Sequence, residues 1–137
     1  MIDIKKNSNI ARLKANLDID FFYKWLSFLT PLHKLTKTEM KVLASFLNKR
    51  FELLSVVSDE HLLNNLLKSA AIKKEVREAI DMDVGQFNIM VSKLKRSGIL
   101  KNDIIENHYI PRIEKNAEQY RLILVFDINN DKISLPK

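Results

Sequence analysis

Gln86, Asn88, Ile89, Ser92, Lys93 and Arg96 recur at the spacing that gathers them on one side of a helix, and all but Ile89 offer hydrogen bonds or positive charge. Amides, a hydroxyl and cations with no acid among them make a surface for hydrogen-bonding and neutralising an anion. They do not make an activated nucleophile or a proton-transfer pair. Residues 84–102 hold four cations (Lys93, Lys95, Arg96 and Lys101) and no acid, whereas the stretch before them mixes Lys73, Lys74 and Arg77 with Glu75, Glu78 and Asp81. Positive charge is therefore concentrated on one short element.

That element needs a start, a buried side and a stop, and the chain supplies all three. Asp83 can cap the free amides of a first turn, with Gln86 three residues later placed to reach back. Phe87, Met90, Val91 and Leu94 repeat at three- and four-residue intervals as an inward face, and Gly98 follows as a C-terminal stop. A second amphipathic stretch precedes it with only a few residues between, so residues 72–100 read as a helix-turn-helix.

Upstream, Thr36 and Glu39 form a capping box, and Met40, Leu43, Ala44 and Leu47 continue as a stripe, which predicts a helix over 37–50. Another is expected over 59–67 with Leu62, Leu63, Leu66 and Leu67 inward, before Ser69 caps the next. Residues 19–29 carry Phe21, Phe22, Trp25, Leu26, Phe28 and Leu29, a helix apolar around much of its girth that Pro31 ends. Such a helix needs cover on more than one side. It is either the centre of the core or a homodimer interface through Phe21, Phe22, Trp25 and Phe28. Residues 1–18 show no clear period and read as an ordered arm or a swapped segment.

After Gly98 the period of 3.6 gives way to extended chain. Apolar residues from Ile99 to Ile113 are interrupted by Asn102, Asp103, Asn107 and Pro111, and YRLILVFDI then reads as a β-branched and aromatic strand. A hairpin wing is expected, with its tip near residues 114–118. That tip, EKNAE, is acidic on balance and suits a minor groove poorly; Arg112, Lys115 and Arg121 are the cations it could use.

Composition narrows the chemistry further. At 137 residues the chain can bury one ordinary core, and with no cysteine it has no disulfide, thiolate ligand or thiol nucleophile. Two glycines, Gly85 and Gly98, are too few for a phosphate-cradling loop or a dinucleotide fingerprint. His33, His61 and His108 lack the i, i+3 or i, i+4 partners of a helical metal site. Acid pairs such as Asp59–Glu60 fit helix N-terminal charges better than a catalytic dyad. No cofactor, metal or enzymatic activity is therefore expected. No apolar stretch approaches the roughly 20 residues that span a bilayer, and MIDIKKNSN lacks the apolar run of a secretion signal, so a cytoplasmic protein is expected. The net charge of +6 favours a polyanionic partner weakly; its placement matters more, since residues after 98 carry six charges of each sign and are neutral.

Two stretches resemble winged helix-turn-helix regulators of the MarR kind. LTKTEMKVLASFL is similar to the Leu-Thr-x-x-Glu-x-x-Val-Leu opening of that domain, and VGQFNIMVSKLKRSGIL to its recognition helix and the Leu-x-x-x-Gly-Leu/Ile exit into the wing. The resemblance covers about residues 35–128. It implies a mainly α fold with a small β-hairpin wing, residues 1–34 forming an N-terminal arm and aromatic helix and 35–137 the winged helix-turn-helix domain. It implies double-stranded DNA as partner, with Gln86, Asn88, Ile89, Ser92 and Lys93 reading the major groove, Lys95 and Arg96 near the backbone, and Lys101 and Arg112 as further contacts. Gly85, the apolar Ile89 and the acids Asp81 and Asp83 depart from the usual pattern. The Ile-, Lys- and Asn-rich, Gly-poor style resembles small proteins of AT-rich bacteria or their phages. A small transcriptional regulator is the first expectation. The alternative is a non-enzymatic winged-helix interaction module in phage replication, polymerase binding or virion assembly, since the fold serves there too.

Overall fold

Capping, spacing and turn chemistry produce six helices and two small antiparallel hairpins in the computed structural model, which describes residues 2–4 and 10–130. The elements are β1 (Ile2–Ile4), β2 (Ala11–Leu13), α1 (Ile19–Phe28), α2 (Thr30–His33), α3 (Lys37–Leu53), α4 (Glu60–Lys68), α5 (Ala70–Ala79), α6 (Val84–Arg96), β3 (Leu100–Lys101) and β4 (Ile104–Ile105), followed by a 3-10 turn at Asn107–Tyr109. The fold is mainly α. No helix among the described residues is long and apolar enough to cross a membrane.

α3 is the central element. The Thr36 hydroxyl accepts from the Glu39 amide at 3.2 Å while the Glu39 carboxylate accepts from the Thr36 amide at 2.9 Å, closing the expected capping box. Beyond the predicted stripe of Met40, Leu43, Ala44 and Leu47, the residues Val42, Ser45 and Phe46 are also buried, so neighbours cover this helix on several sides. α1, α4, α5 and α6 all pack against it. The Ser45 hydroxyl donates to the Val76 carbonyl at 2.8 Å, a buried bond that fixes α5 on α3.

α1 joins the same core. Phe22 and Leu26 cluster with Leu43, Leu47, Leu94 and Leu100, so the apolar cluster is continuous across position 34. Phe22 meets Phe21 edge-on at 5.1 Å and Phe51 at 5.9 Å. Pro31 does not simply end this helix. α1 stops at Phe28, and Pro31 lies in the first turn of α2, where its missing amide hydrogen costs nothing. His33 closes α2 from inside: its Nε2 lies 2.7 Å from the Leu26 carbonyl and its Nδ1 accepts from the Leu35 amide at 2.9 Å, which places the proton on Nε2.

α4 buries Leu63 and Leu67 but leaves Leu62 half-exposed and Leu66 partly so, a narrower inward face than the four-leucine stripe predicted. The expected wing differs more. β3 pairs with β4 across a two-residue turn, Leu100 opposite Ile105 and Lys101 opposite Ile104. Asn102 and Asp103 both take positive φ (52° and 61°), the requirement of a type I′ hairpin turn, which two short polar residues tolerate. The dipeptide read from sequence as an interruption is thus the hairpin's tip. Residues 114–118 are not a wing tip, and YRLILVFDI forms no strand, because no described strand runs alongside to pair with it.

Candidate nucleic-acid interface

α5 and α6 are joined by four residues, 80–83, held by reciprocal bonds. The Met82 amide donates to the Arg77 carbonyl at 3.2 Å, and the Arg77 guanidinium donates to the Met82 carbonyl at 3.1 Å. Asp81 takes φ 51° between them. α6 then starts as expected: the Asp83 carboxylate accepts from the Gln86 amide at 2.8 Å, although no bond returns from the Gln86 side chain. It also stops as expected. The Gly98 amide donates to the Lys95 carbonyl and the Ile99 amide to the Leu94 carbonyl, both at 3.1 Å, with Gly98 at φ 83°; this is the paired bonding of a Schellman terminus.

Between these ends Phe87, Met90, Val91 and Leu94 are buried, Phe87 stacking on Phe46 of α3 at 5.8 Å. The rotation of the helix is set by these contacts. Gln86, Asn88, Ile89, Ser92, Lys93, Lys95 and Arg96 are left exposed together, and Lys101 on β3 is exposed with its chain close to Gly98. Ile89 and Val84 are each 55% exposed, so the face is polar and cationic with two apolar points.

The cations differ in how freely they can act. Lys95 lies 3.1 Å from the Asp103 carboxylate and Lys73 of α5 lies 3.6 Å from the same oxygen, so the hairpin tip is tied to both helices. Burial opposes charge on Asp103 more than any other single influence, yet the Lys95 and Lys73 ammonium groups together outweigh it and hold the carboxyl below its ordinary value. A carboxyl lowered in the folded state adds stability above its unfolded pKa and loses it as pH falls through the folded one. Asp103→Asn should therefore be less stable than the parent at neutral pH by under about 1 kcal/mol, and the gap should close on acidification. Urea melts across that pH range measure it; a gap that widened in acid would contradict the pairing.

Lys93, Arg96 and Lys101 form no ion pair among the described residues. Arg112 stands apart from them. It donates to the Asn107 side chain and lies 3.7 Å from Glu60 at the start of α4, so the structure joins it to that helix and not to α6. Two cations not singled out from the sequence, Lys37 and Lys41 at the start of α3, line an open cleft of about 380 Å³ with Gln86 and Asp81. Their i, i+4 spacing on a capped helix was the available signal. Among the described residues no group of three or more histidine and acidic side chains could hold a metal.

The aromatic cluster of α1 is largely occupied within the chain. Phe22 is core, and the Tyr120 ring stands edge-on to Phe21 at 5.7 Å and to Trp25 at 5.6 Å. The Trp25 indole donates to the Tyr109 carbonyl at 3.1 Å. Of the four residues expected at a dimer interface, Phe28 alone is exposed, at 48%.

Comparison of the chain with protein-family models, with curated proteins and with solved structures finds no match to any of the three.

Proposed function

We propose that the protein is a winged helix-turn-helix that binds double-stranded DNA without chemistry, as a small transcriptional regulator, with α6 in the major groove. The observation that carries this reading is the outer face of α6. Unpaired Lys93, Arg96 and Lys101 stand beside Gln86, Asn88 and Ser92, on a helix whose rotation and both ends are fixed. Amides can bond adenine edges bidentately, and free cations can take phosphates at no cost in broken ion pairs. Lys37 and Lys41, across the cleft from Gln86, extend the positive surface toward the backbone beside the groove. Ile89 supplies the apolar contact that a thymine methyl accepts. The β3–β4 hairpin is too short to reach far along DNA, and its role is to brace α6 through Asp103.

Titration of a labelled duplex at rising salt tests this. Each phosphate contact adds about 0.9 to the slope of log affinity against log salt, so removing Lys93, Arg96 and Lys101 together with Ala should lower the slope by about 2 to 3. Lys95→Ala should lower it less than Lys93→Ala, since Asp103 already holds Lys95. Absence of binding at low salt, or a triple variant that binds with the parent's slope, would remove DNA as the partner of this face.

A further inference from the structure

Residues 121–128, RLILVFDI, have the composition of a strand and no sheet to join. Every one of them is exposed: Ile123 at 80%, Val125 at 75%, Phe126 at 83% and Ile128 at 77%. Their backbone amides and carbonyls make no hydrogen bond to another described residue. The segment is nonetheless anchored, because Tyr120 just before it is seated on Phe21 and Trp25. A run of strand-forming apolar side chains with an unpaired backbone is a template for another strand.

The charge pattern says which strand. Arg121 and Asp127 stand three positions either side of Leu124, with Leu122 and Phe126 two away and Ile123 and Val125 one away. We infer that residues 121–127 of two copies pair as antiparallel strands about a two-fold axis at Leu124, making the protein a symmetric dimer. That register sets Arg121 of each copy opposite Asp127 of the other, Leu122 opposite Phe126 and Ile123 opposite Val125. Two ion pairs then frame an unbroken apolar centre. Parallel pairing in register sets like charges on each other at both ends. A slip of one residue sets Asp127 opposite Leu122 or Tyr120. Alternation puts Leu122, Leu124 and Phe126 on the same side of the strand as Tyr120, so that side lies over the aromatic surface of α1 and the ribbon is backed by the body of each copy. Leu122 and Leu124 are already less exposed than Ile123 and Val125, whereas Phe126, at 83%, is open for the partner copy's Leu122 to cover. The pairing is independent of what α6 binds.

The chain has no cysteine, so single introduced thiols report the register on the full-length protein. In Leu124→Cys the two thiols face each other across the axis, where opposed Cα atoms about 4.5–5.5 Å apart fall within disulfide reach, and mild oxidation should give a covalent dimer. In Ile128→Cys each thiol faces the other copy's Tyr120 and lies roughly 27 Å from its own counterpart, so that variant should stay single on a non-reducing gel. By sedimentation the parent should have twice the chain's 16.0 kDa at micromolar concentration. Arg121→Asp and Asp127→Arg should each weaken association about tenfold, and the double exchange should restore it. All these positions are exposed, so the helical circular dichroism should not change. A monomeric parent, equal cross-linking of the two thiol variants, or a double exchange no better than the singles would each overturn the proposal.

Discussion

Phe22→Ala is expected to lower stability by about 3–5 kcal/mol, the cost of emptying a fully enclosed aromatic site. The ring is 1% exposed and sits between Phe21 and Phe51, in the cluster that joins α1 to α3. Those neighbours are rings and branched chains already in contact, so the space left by truncation cannot collapse fully. Phe28→Ala, on the outer side of the same helix, should cost under about 1 kcal/mol. Guanidinium melts followed by circular dichroism separate the two. If α1 served chiefly as a contact between copies, the order would reverse and Phe28→Ala would change the sedimenting mass instead.

Leu94→Ala should cost about 2–5 kcal/mol, and Asn88→Ala under about 0.5. Leu94 is fully buried, and its carbonyl accepts the Ile99 amide that closes the C-terminus of α6, so loss of its side chain loosens the exit into β3 as well as the core. Asn88 lies on the outer face. The pair of melts reads the rotation of α6 directly, because a helix turned by half a circle would exchange the two results. Affinity for a duplex, if lost in Asn88→Ala while stability holds, would also assign that side chain to recognition.

Much of the helical frame is legible in the sequence, for a reason visible at each cap. Thr36 with Glu39, Ser69 and Asp83 act within three residues of themselves, and the side chains that α6 buries are set by its own periodicity. Information that local survives being read one window at a time. Leu62 was misplaced because a stripe gives a direction and not its width, which depends on how closely α4 meets its neighbours. Pro31 stops one helix and opens another with the same fixed φ, and the letters do not say which dominates. Strands fail more thoroughly. β3 and β4 are two residues each, too short to show alternation, and their signal was the turn at Asn102 and Asp103. Residues 120–128 have strand propensity in full, but a strand exists only where a partner runs beside it. For the outer face of α6, sequence placed the side chains together. It could not tell that Asp103 engages Lys95, because that depends on how the β3–β4 turn folds back on α6, or that Arg112 belongs with Glu60, because that pairing joins segments far apart in the chain.

The Trp25 indole and the Tyr109 carbonyl are 84 positions apart, a long closure over a molecule whose helices mostly meet close relatives in sequence. Such a closure comes late in folding, since its loop entropy is repaid only once the intervening helices are in place. During synthesis α1 can settle on α3 well before residue 109 has been made, with Phe21 and Trp25 still waiting for Tyr120. A later segment thus shields an earlier one, and a chain whose synthesis stops before Tyr109 would show the aromatic flank of α1 to whatever holdase or protease is near.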